Sequence, residues 1–404
     1  MKKTLLTICL TWMCFSLSAQ KIIDLSGKWS FSIDRQDNGE KEKWFSHTLN
    51  DCINLPGSMP EKLKGDEVTA KTQWTGSLYD SSYYYNPYME KYRKEGNIKF
   101  PFFLTPDKHY VGAAWYQKEV NIPADWKGER ILLFLERPHI ETTVWVNGQK
   151  TGMQNSLCVP HQYDITRYVR PGKCTITIRV DNRIKEINVG PDSHSITDQT
   201  QGNWNGIVGR ICLQTTPKTY FDDIQIYPEP EQKLARVKVV IKGAGITKIK
   251  LSAESFNTDK KHIVPAIQQE IKLNKGVTET EMVLPMGNDM LLWDEFHPAL
   301  YKLKAEVTNG KKTEIKEIQF GMRRFEIKGK WFYVNGRKTQ LRGTVENCDF
   351  PLTGYAPMDV ESWERVFRIC RSYGLNHMRF HSFCPPEAAF IAADRVGFYL
   401  QPEG

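Results

Sequence analysis

No block of like charge interrupts the 404-residue sequence, and beyond its first nineteen residues no apolar run is long enough to cross a bilayer. The 55 Lys+Arg and 47 Asp+Glu are interleaved, so a net charge of +8 builds neither a nucleic-acid arm nor a polybasic membrane anchor. The nine cysteines form no C-x-x-C motif. Cys9 and Cys14 fall in an N-terminal leader, and Cys52, Cys158, Cys174, Cys212, Cys348, Cys370 and Cys384 are an odd, widely spaced set that resembles no disulfide framework. Most of them are expected to be buried apolar fillers. Cys370, His377, His381 and Cys384 are close in sequence, but the two histidines fall on one expected strand. Four strand residues span about 13 Å, too far to share one ion directly, so no metal site is assigned.

What the sequence does contain is apolar and aromatic material punctuated by turns. It is 40% hydrophobic and 12% aromatic, with 28 Gly and 21 Pro, which suits short strands, many turns and more than one buried core. At about 150 residues per domain, two to three domains are expected. Residues 1–19 read as a secretion signal. Lys2 and Lys3 precede a largely apolar stretch from Thr4 to Leu17, and Ser18-Ala19 offers a small-residue cleavage site before Gln20. Met13 stands where a lipoprotein signal carries a small residue before its cysteine, so the expected product is periplasmic or secreted, with no membrane attachment after cleavage.

Residues 20–218 are β-rich. Ile131–Leu135 is a buried-strand run, Thr142–Val146 alternates before an Asn147-Gly148 turn, and Thr175–Val180 alternates cleanly. Short strands joined by long loops predict a jelly-roll sandwich. Within it, Trp74 to Tyr116 holds thirteen aromatics, Tyr79, Tyr83, Tyr84, Tyr85 and Tyr88 among them. Two readings stand side by side: rings lining a sugar site, or rings packing a long loop onto the sandwich. Residues 219–322 alternate and are Lys-rich, as in Val237–Ile241 and Tyr301–Val307, which fits an immunoglobulin-like sandwich.

From residue 323 to 404 the period changes. A hairpin through Asn335-Gly336 leads into a strand ending near Glu346. A helix follows, with Asp359 as N-cap and Gly374 as stop; then come a strand over Asn376–His381, a helix from Glu387 to about Gly397, and a strand toward Glu403. Strand, helix, strand, helix, strand is the beginning of a parallel βα barrel. Closing one takes roughly 250 residues, so an incomplete (β/α)8 TIM barrel with an unpaired sheet edge is expected here.

Three segments together resemble glycoside hydrolase family 2, the β-galactosidase, β-glucuronidase and β-mannosidase relatives. Asn203-Trp204-Asn205-Gly206-Ile207-Val208-Gly209-Arg210 is similar to the signature that closes that family's sugar-binding jelly roll. Phe320-Gly321-Met322-Arg323-Arg324-Phe325, with Val334 to Gly343, resembles its junction into the barrel. Asn376-His377-Met378-Arg379-Phe380-His381, followed by Pro385-Pro386-Glu387, Asp394 to Gly397 and Glu403, resembles its second strand, second helix and third strand.

The resemblance implies retaining hydrolysis of an O-glycoside, with two carboxyl groups about 5 Å apart acting as acid/base and nucleophile. In the family these glutamates end the fourth and seventh barrel strands, so both are expected after residue 404 and no catalytic residue is assigned to this chain. The substrate-binding residues the resemblance implies, at the C-terminal ends of barrel strands, are Glu346, Asn347, Arg379, His381 and Glu403. Arg379 falls on the family's arginine at the end of strand two; a structural ion pair is the alternative. Glu403 matches an acidic position that some relatives use as a metal ligand, or else supports Arg379. A Mg or Na ion in the full-length enzyme follows from the resemblance alone.

The sequence also departs from the family: Thr344 to Asp349 replaces a histidine-containing run, and His381 is displaced by one residue, with Ser382 in the familiar place. Neither galactoside nor glucuronide specificity is therefore carried over. The expected substrate is an oligo- or polysaccharide of plant or host origin, with no nucleic-acid partner. Two other readings remain at this stage, a non-catalytic carbohydrate-binding protein and an inactive truncated product.

Overall fold

The computed structural model describes residues 20–77, 80–185, 192–350 and 352–403. The expected leader over residues 1–19 and Tyr79 lie outside the described residues.

Two antiparallel sheets form the first sandwich. One is six-stranded, in the order Gln149–Asn155, Glu141–Val146, Gly172–Asp181, Ala113–Ile122, Gly27–Asp34, Asp51–Leu55. The other centres on Gly206–Thr216, flanked by Ile22–Asp24 and Arg130–His139, with His161–Asp164 outside the latter. Alternation along these strands sends Trp29, Phe31, Ile53, Leu133, Val144, Ile178, Ile211 and Leu213 into one core. Asn147 and Gly148 both take positive φ, 49° and 77°, the backbone a two-residue hairpin needs.

Within the segment Trp204 to Gly209, Asn205 and Gly206 each have a physical reason to be where they are. Asn205 is fully buried; its Oδ1 accepts from Tyr116 Oη at 2.7 Å, and its Nδ2 donates to the carbonyls of Gly112 at 2.9 Å and Val180 at 3.0 Å, tying three chain segments together. Gly206 has φ of 152°, and a Cβ there would lie 2.4 Å from the Gly57 carbonyl oxygen. Only glycine permits that approach.

In the second unit, two 23-residue strands, Leu234–Phe256 and Ile263–Pro285, run the length of the domain. Register shifts at Gly243/Gly245 and Leu251/Ala253 bend the first, and its outer partner changes from Tyr220–Glu229 to Leu300–Asn309 along the way. Both halves still bury their apolar residues together: Val237, Val239 and Ile241 with Ile249, Leu251 and Ala253.

The third unit is a three-stranded parallel sheet, Gly343–Glu346, His377–Phe380, Tyr399–Gln401, with His377–Phe380 central. Val360–Ser372 and Glu387–Val396 are the connecting helices. Asp359 Oδ1 accepts from the Ser362 amide at 2.7 Å, and Gly374 and Gly397 follow the helices at φ of 80° and 78°. Met378 and Phe380 pack on the helices through Trp363, Phe367 and Ala392. The opposite face carries Val345, Arg379 and Gln401 in register and is open, with Val345 half exposed. This unit docks on the second: Trp293 Nε1 donates to the Asp394 carbonyl at 2.7 Å, and buried Glu295 accepts from Asn376 Nδ2 at 2.6 Å.

The cysteine expectation is corrected. Among the described residues only Cys174 and Cys212 are buried cysteines; Cys52 is exposed, and Cys158, Cys348, Cys370 and Cys384 are half-buried. Cys52 sits between Ile53 and Asp51 on an edge strand, where alternation turns Ile53 and Leu55 inward and Cys52 out. The half-buried four lie in loops or on a helix, outside any strand's inward face.

Candidate active-site face

The jelly roll covers the C-terminal ends of the parallel strands. Ser58 Oγ donates to the Thr353 carbonyl at 2.6 Å, Tyr355 Oη donates to Glu61 Oε2 at 2.9 Å, and Arg137 Nη2 donates to the Cys384 carbonyl at 2.7 Å. Trp204 is packed between His139, ring centroids 4.5 Å apart, and Tyr355 at 5.5 Å.

At the rim of this seam, Arg379 Nε donates to Glu403 Oε1 at 2.6 Å, and the second carboxylate oxygen accepts from the Ser382 amide at 2.8 Å. The Ser382 amide and the Arg379 guanidinium hold the Glu403 carboxyl below its usual range. His381 Nδ1 lies 3.1 Å from Asn347 Oδ1, and the His381 amide donates to the Glu346 carbonyl at 2.8 Å. The Glu346 side chain turns back onto the Cys348 amide, 2.8 Å away, and burial raises its pKa. Thus Arg379 meets Glu403 and His381 meets Asn347, whereas the Glu346 carboxylate caps its own loop.

Each Glu403 oxygen accepts a hydrogen bond, one of them from the Arg379 cation, and among the described residues no group of three or more His, Cys, Asp or Glu is placed to hold a metal ion.

Two residues of the face had no sequence signal. Gln201 Nε2 donates to the His381 carbonyl at 2.8 Å, and the His194 ring meets the His381 ring edge-on at 4.8 Å. Both belong to the loop before Asn203, which Asp198 anchors: its carboxylate accepts from the Thr75 amide at 2.7 Å and the Asn203 amide at 2.9 Å, and lies 3.1 Å from His109 Nε2. Their contact with His381 spans the chain from first unit to third, which only the tertiary fold reveals.

In the aromatic segment, most described rings pack on one another. Trp74 stacks on Phe103 at 5.0 Å and Tyr83 on Phe100 at 4.7 Å, while Trp115 and Tyr116 are buried in the sandwich. Tyr84, Tyr85 and Tyr88 remain exposed, and Tyr84 borders a cavity of about 430 Å³ with Trp74 and Phe102.

A β-rich chain of two sandwiches followed by a parallel βα unit, with the first sandwich roofing the strand ends, is the architecture of known glycoside hydrolases. The fold resembles that of a glycosyl hydrolase family 2 member from Bacteroides cellulosilyticus, with a TM-score of 0.69 at 19% identity over 95% of this chain and 46% of that one. It also resembles the Ruminococcus gnavus beta-glucuronidase, with a TM-score of 0.68 at 19% identity over 98% and 59%. In sequence, residues 22–217 match the sugar binding domain of glycosyl hydrolases family 2, and residues 219–323 match a second domain of the same family. The chain belongs to glycosyl hydrolase family 2. Among its relatives, a protein described as a putative beta-glucuronidase from Formosa agariphila is 27% identical over 74% of this chain and 36% of its own length. Human beta-glucuronidase is 23% identical over 94% and 56%, and a beta-galactosidase from Thermoanaerobacter pseudethanolicus 24% identical over 76% and 41%. The chain therefore spans about a third to somewhat over half of the length of these relatives.

Proposed function

We propose that these 404 residues are the N-terminal part of an exported glycoside hydrolase that cleaves O-glycosidic bonds in an oligo- or polysaccharide with retention of configuration. The observation that carries this reading is the open face of the parallel sheet, where Arg379 stands at a strand end beneath the jelly-roll loop that carries His194 and Gln201. Five further strands and their helices would close that face into a (β/α)8 barrel and place Arg379 inside its mouth. With Nε held by Glu403, the Arg379 Nη amines are the donors for sugar hydroxyls, and His381, steadied by Asn347 and Gln201, borders the same space. The acid/base and nucleophile come from segments beyond residue 404. One carboxylate attacks the anomeric carbon as the other protonates the leaving oxygen, and water then releases the sugar from the covalent intermediate. The relatives' names point to a glucuronide or galactoside, and the departures at Thr344–Asp349 and His381-Ser382 lie on the edge that would distinguish them. The leader over residues 1–19 supports a periplasmic or secreted location.

The test uses the polypeptide of an open reading frame continued past Gly404, offered a panel of aryl β-glycosides in an NMR tube. The first-formed free sugar is expected to be the β anomer. An α anomer would contradict the retaining mechanism, and binding without turnover would leave only a carbohydrate-binding protein.

A further inference from the structure

Three cysteines from distant parts of the chain line one small cavity at the seam between the jelly roll and the parallel βα unit. Its volume is about 60 Å³, too small for an organic ligand. Cys158 stands in the loop between strands Gln149–Asn155 and His161–Asp164, Cys348 just after strand Gly343–Glu346, and Cys384 in the loop from strand His377–Phe380 into helix Glu387–Val396.

Arg137 draws two of them together. Its Nη2 donates to the Cys384 carbonyl at 2.7 Å and to the Cys158 carbonyl at 3.3 Å, so one nitrogen holds both backbones. Both residues line the same cavity of about 60 Å³, and burial there raises the pKa of the Cys384 thiol. Cys384 Sγ at present faces the Pro385 carbonyl, 3.7 Å away, and Cys158 is half-buried beside exposed Val159. Cys348 differs: it packs against the core of the third unit, and burial pushes its thiol up to about 12.

We propose that Cys158 and Cys384 are the two halves of a disulfide that fastens the jelly roll to the loop carrying His381 and Ser382. The oxidant is a low-molecular-weight disulfide such as oxidised glutathione. The thiolate of Cys158 attacks one of its sulfurs and expels a thiolate; the thiolate of Cys384, its side chain rotated off the Pro385 carbonyl, then displaces the second. Two protein thiols lose two protons and two electrons to form one S–S bond, and the reagent is reduced to two thiols. Whatever glycoside is cleaved, the bond would clamp the seam on which the candidate site is built.

Trypsin separates the participants. Cys158 falls in peptide 151–167, Cys384 in 380–395 and Cys348 in 343–365, each the single cysteine of its peptide. When the folded chain is equilibrated with oxidised glutathione, its residual thiols alkylated and the digest analysed by mass spectrometry, the linked pair 151–167/380–395 is expected to dominate and to vanish on reduction. Cys384→Ser should leave Cys158 as a glutathione adduct. Separate glutathione adducts on Cys158 and Cys384 of the unsubstituted chain would overturn the proposal. So would a link from 151–167 to 343–365 in either chain, or an equal yield of the 151–167/380–395 link from the urea-unfolded chain.

Discussion

Acidifying the protein from pH 6.5 to pH 4.5 is expected to remove about 4–5 kcal/mol of jelly-roll stability. Two buried histidines are responsible. His139 stacks against Trp204 with its Nε2 3.2 Å from Asn203 Oδ1, and burial lowers its pKa to about 3. His161 is fully buried, with Nδ1 2.6 Å from Thr142 Oγ1 and no hydrogen-bond partner for Nε2 among the described residues, and burial lowers its pKa to about 4. Both stay neutral in the fold while the unfolded chain takes up protons from about pH 6.5 downward. Their stabilisation is therefore complete above that pH and is lost as pH falls toward the folded values, at up to about 1.4 kcal/mol per pH unit for each histidine. Burial raises the carboxyls of Glu314, Glu346 and Asp394, which act in the opposite sense but lie in the other two units. Urea midpoints read from the fluorescence of buried Trp29, Trp115 and Trp145 measure the slope. His161→Gln should roughly halve it. A midpoint constant across this window, or an unchanged slope in the variant, would contradict the assignment.

Arg379→Leu, made in the continued polypeptide, is expected to lower kcat/KM by about 10²–10³-fold, the loss typical of removing one preorganised donor from a reacting centre. Thermal stability should hardly move, because the Arg379–Glu403 pair stands at the strand ends, at the mouth of the closed barrel and partly open to solvent, and such pairs contribute about 0–1 kcal/mol. That combination separates a substrate-facing arginine from a structural ion pair, for which activity would follow stability. Glu403→Gln leaves the guanidinium in place without its charged partner, so about tenfold of the loss is expected there. Equal activity in Arg379→Leu and the unsubstituted enzyme would place the substrate elsewhere.

The parts of the fold legible in the sequence are those set by local chemistry. The Asp359 cap, the Gly374 and Gly397 stops and the Asn147-Gly148 turn need only a side-chain oxygen or a positive φ at one position. A continuous apolar run likewise marks the strand around Ile131–Leu135 and alternation the one around Thr175–Val180, both central strands with most residues buried. The long strands of the second unit are not legible at full length: alternation marks only Val237–Ile241 in the first of them, whereas the fold carries that strand on through a bulge at Gly243/Gly245. At the candidate site, strand-end positions in the sequence point to Glu346, Asn347, Arg379, His381 and Glu403 as candidates. They do not point to Gln201 and His194, because the approach of these two to His381 depends on how one domain roofs another. The same holds for Cys158 and Cys384, brought onto one arginine from separate units.

The most direct measurement compares aryl β-glycoside turnover by the 404-residue polypeptide with turnover by the polypeptide continued past Gly404, under one set of conditions. The account, which places both catalytic carboxylates after residue 404, predicts no turnover from the first and sustained turnover from the second. Turnover by the 404-residue polypeptide itself would contradict it.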